Sequence, residues 1–122
     1  MLDAASQPSS TRLRDLTVAQ AGALLRKAEL TSRELTEDAL ARIGELDPGL
    51  HAFVLVTEEL ALRQADQADR ELRAGLDRGP LHGIGYALKD IFDVAGLPTS
   101  NCSWLSVDRV AAQDSTVQAR LR

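Results

Sequence analysis

Two helix-start signals lie close together in the first third of the chain, and they constrain its fold more than any other feature. In each, a threonine is followed three residues later by a glutamine or a glutamate: Thr17 with Gln20, and Thr31 with Glu34. In such a capping box the threonine side-chain oxygen accepts a hydrogen bond from the backbone amide of the third helical residue. The side chain of that third residue accepts a hydrogen bond from the threonine amide in return. The chain is therefore expected to begin with two successive helices.

The apolar residues after each box recur at helical spacing. They are Val18, Ala21, Leu24, Leu25 and Ala28 in the first helix, and Leu35, Ala39, Leu40, Ile43 and Leu46 in the second. The first helix is predicted to reach about Ala28. Leu30 and Leu35 stand where a hydrophobic staple fixes the start of the second helix. Asp47-Pro48-Gly49 is predicted to end it, because proline lacks a donor and disfavours helix in the preceding residue.

Two short apolar segments further along the chain predict strands. Phe53–Val56 is aromatic and β-branched, and Ile84–Leu88 follows a turn rich in Gly and Pro, although a short apolar run also fits buried extended chain. Between them, apolar residues at helical spacing predict a third helix that Thr57 caps and Gly75 ends. Ser115, with Gln118 three residues later, predicts a last helix over 116–121.

Composition excludes several classes of function. The chain has 14 basic and 18 acidic side chains, a net charge of −4, whereas a nucleic-acid binder needs a surplus of Lys and Arg. Cys102 is the only cysteine and there are two histidines, so neither a disulfide framework nor a structural zinc site is expected. The longest apolar run, Ala52–Val56, is far shorter than the roughly 20 residues that cross a bilayer. Without a secretory signal, the cytoplasm is the expected compartment.

The two ends of the chain differ in character from its middle. Residues 1–15 are polar and rich in serine, which predicts a flexible N-terminal arm. Arg122 comes one turn after the start of the last predicted helix, with no stop signal. We therefore expect a domain that begins near residue 16 and is interrupted at residue 122.

The most specific motif lies in residues 79–100, which read GPLHGIGYALKDIFDVAGLPTS. This string resembles the lysine segment of the amidase signature family, and a looser likeness covers residues 16–122. The resemblance implies an α/β fold with a mixed sheet wrapped by helices. Residues 16–122 would be the truncated N-terminal part of that amidase domain, with its outer helices and first strands.

The resemblance also implies a set of site residues. Lys89 would be the lysine of the family's Ser–cis-Ser–Lys triad, and Asp90 would be its neighbouring acid. Thr99, Ser100 and Ser103 would lie in the loop that follows, near the site, where they would either bind substrate or form the loop around the site. The substrate would be a small-molecule amide, with no metal or organic cofactor, no nucleic acid and no membrane. Residues 1–122 contain no Gly/Ser-rich segment of the kind that supplies the family's serines, so this chain alone is expected to be inactive.

The sequence is compatible with more than one function. The chain would fit part of an enzyme that hydrolyses carboxamides, or part of the amidase-like subunit of a glutamine-dependent amidotransferase. Alternatively, it would be a non-catalytic remnant that binds a partner, a second copy or a C-terminal region through exposed helix faces or a sheet edge. A third interpretation pairs Cys102 with His82 as the nucleophile and base of a small cysteine hydrolase.

Overall fold

The computed structural model describes residues 13–122, and the regular secondary structure in this part of the chain is helical. The helices with defined bounds are α1 (Val18–Arg26), α2 (Ser32–Leu50), α3 (Glu58–Arg73) and α4 (Thr116–Leu121). The chain divides into two compact units, the first ending at Gly85 and the second spanning Tyr86–Arg122. Most of the arm predicted for residues 1–15 lies outside the described residues, so that arm stays a prediction.

Both predicted capping boxes are present. In α1 the amide of Gln20 donates to Thr17 Oγ1 at 3.2 Å, while Gln20 Oε1 accepts from the Thr17 amide at 2.8 Å. In α2 the amide of Glu34 donates to Thr31 Oγ1 at 3.1 Å, and Glu34 Oε2 accepts from the Thr31 amide at 2.8 Å. Each box satisfies amides that have no partner within the helix, so local sequence sets where α1 and α2 begin.

The predicted stop at Asp47-Pro48-Gly49 is wrong, because α2 continues to Leu50 with Pro48 inside it. A proline this close to the end of a helix removes only one late hydrogen bond, which limits its cost. The helix ends instead where His51 adopts a left-handed conformation, with φ of 51°. Asp47 secures this end, because its Oδ1 accepts from the amides of Ala52 and Phe53 at 2.7 and 3.1 Å.

Helix α3 packs against α2 and ends as predicted at a left-handed glycine. Gly75 has φ of +81°, and the Leu76 amide donates to the carbonyl of Glu71 at 2.9 Å. This arrangement satisfies carbonyls of the last turn, as in a Schellman motif. Thr57 occupies the N-cap position, but its side chain makes no capping hydrogen bond.

The two predicted strands are not formed. Within residues 13–122 the only β pairing is an isolated antiparallel bridge between Pro98 and Val110. A strand needs the backbone groups of a neighbour, and the described part of the chain supplies none to residues 53–56 or 84–88. Val54 is 74% exposed. In the described part of the chain, residues 13–122, no helix is long and apolar enough to cross a bilayer.

Candidate active site

Lys89 lies near the start of the second unit, at the end of a segment without assigned secondary structure. Its side chain is exposed, and its backbone begins a turn. The Lys89 carbonyl accepts from the amides of Ile91 and Phe92, at 2.7 and 3.1 Å. The backbone at Lys89 is therefore held by the residues that immediately follow it.

Asp90 holds the loop that contains three of the predicted site residues. Its Oδ1 accepts from the Ser100 amide at 2.9 Å, and its Oδ2 accepts from the Ser100 hydroxyl. The Asp90 carbonyl accepts from the Asn101 amide at 3.1 Å. The hydrogen bond from the Ser100 hydroxyl, followed by the one from its amide, lowers the pKa of Asp90 below the ordinary aspartate value. Asp90 and Ser100 are thus brought together as a charge-assisted pair.

The structure gives Thr99 and Ser103 separate positions in the same loop. Thr99 is buried, and its amide donates to the Arg109 carbonyl at 3.2 Å. Ser103 is half-buried, and its Oγ accepts from the amide of Leu105 at 3.3 Å. Thr99 is therefore part of the packing of this unit, whereas Ser103 organises its own turn.

Asp93 forms hydrogen bonds with Arg109 and Ser115, which lie beyond the loop that follows Lys89. Arg109 donates to both of its carboxylate oxygens, at 2.6 and 3.2 Å, and the Ser115 amide donates to its carbonyl at 2.8 Å. The hydrogen bonds from Arg109 and then Thr99 lower the pKa of Asp93. Asp93 therefore ties the loop that follows Lys89 to the start of α4.

In the first unit, a buried acid that the sequence analysis missed connects three segments. Asp69, on α3, accepts from the amides of Ser32 and Arg33 at 2.7 and 3.1 Å, which caps α2 from a distance in sequence. The Ser32 hydroxyl then donates to the carbonyl of Gly83 at 2.7 Å. The sequence contained a signal for this buried contact, because Asp69 is a charged residue within the apolar stripe of the third predicted helix, which continues through Leu72.

The conformation of Gly83 explains why a glycine stands there. Its φ is +83°, a value that side chains of L-residues rarely adopt. A Cβ at this position would lie 3.1 Å from Leu25 Cδ1 and 3.4 Å from Ser32 Cβ. The backbone of Gly83 therefore packs closely against α1 and α2.

A second cluster in the first unit surrounds Glu71. Arg78 donates to both of its carboxylate oxygens, at 2.6 and 2.8 Å, and His82 Nε2 lies 3.1 Å from Glu71 Oε2. The amide of Arg78 donates to His82 Nδ1 at 3.1 Å, so both ring nitrogens of His82 are engaged. These contacts favour a structural role for His82 over that of a base for Cys102, whose side chain is exposed.

The Glu71 cluster predicts a pH dependence of stability. Hydrogen bonds from Arg78 and then Gln67 lower the pKa of Glu71 from 4.5 to about 2. Between these values the unfolded chain binds more protons than the folded one, so stability is lost as pH falls through this range. We expect Glu71→Gln to make the free energy of unfolding less dependent on pH between about 2 and 4.5, as measured by urea denaturation.

Glu59, on the same helix, provides the control for that measurement. Its side chain is 93% exposed and lies 3.6 Å from Arg63. Glu59→Gln should therefore leave the pH dependence close to that of the unmodified chain. Identical slopes for Glu71→Gln and Glu59→Gln would show that the Glu71 cluster does not contribute.

Comparisons with known proteins connect these features to one family. A sequence profile described as Amidase matches residues 34–122, a stretch that includes Lys89, Asp90 and the loop after them. The chain belongs to the amidase signature family.

Within the described residues, no group of three or more His, Cys, Asp or Glu side chains is arranged to hold a metal ion.

Individual relatives show which members of the family this chain resembles. It is 47% identical over 106 residues to the A subunit of the glutamyl-tRNA(Gln) amidotransferase of Azotobacter vinelandii, covering 87% of this chain. It also resembles the native peptide amidase of Stenotrophomonas maltophilia, with 38% identity and a TM-score of 0.82 over 88% of this chain. These residues span 22% of the length of each of these two proteins.

Proposed function

We propose that these residues form the N-terminal part of an amidase-type enzyme that hydrolyses the carbon–nitrogen bond of carboxamides. The main support is the family match over residues 34–122, which includes the Lys-Asp pair at 89–90. The second support is local geometry, since Asp90 and Ser100 hold the backbone on both sides of the loop after Lys89. The proposed substrate is a small-molecule amide in the cytoplasm.

In the proposed mechanism Lys89 is the base of a Ser–cis-Ser–Lys relay whose serines come from sequence beyond residues 1–122. The nucleophilic serine oxygen bonds to the amide carbon, and its proton passes through the bridging serine to the Lys89 amine. The carbon–nitrogen bond then breaks as a proton is returned to the leaving nitrogen. Water hydrolyses the acyl-serine and releases the carboxylic acid.

The proposed fold of the complete enzyme includes a mixed sheet. Residues 53–56 and 84–88 would become strands when segments of a longer chain pair with them. Their exposed apolar side chains support this proposal, since Val54, Leu55 and Tyr86 are each about half exposed or more. Hydrophobic burial against such neighbours would stabilise both segments.

A second candidate function is that of the A subunit of a glutamine-dependent amidotransferase. The observation that favours it is the 47% identity to the A subunit of a glutamyl-tRNA(Gln) amidotransferase. The two candidates differ in the fate of ammonia. A hydrolase releases it to solvent, whereas an amidotransferase passes it from glutamine to an acceptor on a partner.

The two candidates and the non-catalytic alternative can be separated by two assays, each run with and without a partner subunit. The protein translated from the full reading frame that contains these residues should be assayed with simple carboxamides and with glutamine. Hydrolysis of carboxamides without a partner supports the amidase. Release of ammonia from glutamine that requires a partner supports the amidotransferase, and no turnover in either assay supports a non-catalytic remnant.

Residues 1–122 by themselves are expected not to hydrolyse amides or esters above the rate in buffer. The reason is that they contain no Gly/Ser-rich segment to supply a nucleophile and an oxyanion hole. The measurement is a hydrolysis assay with purified chain and the Cys102→Ala, Ser100→Ala and Ser103→Ala variants. Turnover that disappears only in Cys102→Ala would contradict the prediction and favour the cysteine hydrolase.

A further inference from the structure

The peptide that joins Lys89 to Asp90 is held on both sides by hydrogen bonds. On one side, the Lys89 carbonyl accepts from the amides of Ile91 and Phe92. On the other, Asp90 accepts from Ser100 through both carboxylate oxygens and from the Asn101 amide through its carbonyl. The position of the Lys89 backbone is therefore coupled to a loop that begins about ten residues later in the sequence.

The hydroxyl of Ser100 is fully engaged in this coupling. A serine hydroxyl has a single proton to donate, and Ser100 gives it to Asp90 Oδ2. The same oxygen accepts from the Cys102 amide at 3.3 Å. Ser100 therefore has no free donor for a substrate.

The backbone that Ser100 organises adopts a conformation that needs support. Asn101 and Cys102 have φ of 50° and 53°, in the left-handed region that residues other than glycine seldom occupy. Each such residue costs energy unless surrounding bonds hold it in place. Here the bonds come from Asp90 and Ser100, which accept from the amides of Asn101 and Cys102.

We propose that Asp90 and Ser100 are positioning residues that fix the backbone of Lys89 for its role as a base. This inference rests on the proposed function of Lys89. Asp90 acts through its bonds to Ser100 and Asn101, and neither Asp90 nor Ser100 contacts the substrate. The alternative is that the pair stabilises the loop without any effect at Lys89.

Amide hydrogen exchange measured by NMR on the 122-residue chain separates these two possibilities. The informative probe is the Phe92 amide, which donates to the Lys89 carbonyl. In Asp90→Ala and Ser100→Ala we expect exchange at Phe92 to be at least about tenfold faster, because its acceptor is no longer held. Ser100→Thr keeps the hydroxyl and should restore slow exchange.

Ser106→Ala is the matched control, since the hydrogen bonds of Ser106 in the structure come from its backbone. It should leave exchange at Phe92 unchanged. If Asp90→Ala accelerates exchange at Ser100 and Asn101 but not at Phe92, the pair only stabilises the loop, and the proposal is overturned. An unprotected Phe92 amide in the unmodified chain would overturn it as well.

Kinetics of the protein translated from the full reading frame provide a second readout. A displaced base lowers the rate of the chemical step, so Ser100→Ala should reduce kcat by about 10- to 100-fold with little change in KM. Ser100→Thr should recover most of kcat. An increase in KM with kcat unchanged would show that Ser100 binds substrate and would refute the positioning role.

Lys89→Ala distinguishes a failure of this inference from a failure of the proposed function. If Lys89→Ala retains full activity, Lys89 is not the base, and the proposed mechanism fails. The exchange at Phe92 still decides whether Asp90 and Ser100 hold the Lys89 backbone. If Lys89→Ala is inactive and Ser100→Ala is fully active, only the positioning role fails.

Discussion

Lys89→Ala is expected to lower kcat of the enzyme translated from the full reading frame by several orders of magnitude while the protein stays folded. General-base assistance alone contributes about 10²- to 10⁴-fold, and the lysine would also orient the serine relay. Lys89→Arg should fail too, because a guanidinium does not release its proton near neutral pH. The measurement is steady-state hydrolysis of a carboxamide, with circular dichroism to verify folding.

The chain offers a close control for this experiment, because Lys27 is the only other lysine. Lys27 is exposed at the C-terminal end of α1, and its amide donates to the Ala23 carbonyl at 3.2 Å. Lys27→Ala should retain nearly full kcat, since the substitution leaves the backbone bond in place. Activity of Lys89→Ala close to that of Lys27→Ala would remove Lys89 from the site.

Asp69→Ala is expected to reduce the free energy of unfolding by about 3 kcal/mol, the largest effect on stability that we anticipate. The substitution removes the carboxylate that accepts from the Ser32 and Arg33 amides at the start of α2. Ser32 is only 3% exposed, so water does not readily replace that acceptor. Asp69→Asn keeps one acceptor oxygen and should lose less. Urea denaturation at neutral pH measures both losses.

Asp66, also on α3, allows the effect of a surface ion pair to be compared with that of the buried cap formed by Asp69. It lies 2.8 Å from Arg33 Nη1, and its side chain is 39% exposed. Asp66→Ala should cost much less than Asp69→Ala, because solvent screens an exposed pair. Equal losses for the two variants would mean that the hydrogen bonds of Asp69 to α2 are not the source of its effect.

The starts of α1 and α2 and the end of α3 were predictable because short-range contacts control them. Thr17 and Thr31 bond to residues three positions away, and Gly75 takes the left-handed conformation that glycine adopts most easily. Pro48 shows the limit of such rules. Its effect depends on how many helical hydrogen bonds remain after it, and on the capping of that end by Asp47.

The candidate site was predictable in part. The string around Lys89 indicated the family, and the matching profile confirms that membership. Which side chains contact each other was not predictable, since Asp90 and Ser100 are brought together by a loop whose path depends on Asp93 and Arg109. The roles of Lys89, Thr99, Ser100 and Ser103 in catalysis or binding remain predictions.

The sequence by itself determined the positions of the helices and the family, because a capping box or a lysine motif depends only on residues that are close together in the sequence. Only the tertiary structure decided where Asp69 acts, since it caps a helix that begins 37 residues earlier. It also decided against strands within residues 13–122. A strand forms only when another segment supplies its hydrogen-bonding partners, and that is a property of the surrounding chain and not of the apolar run itself.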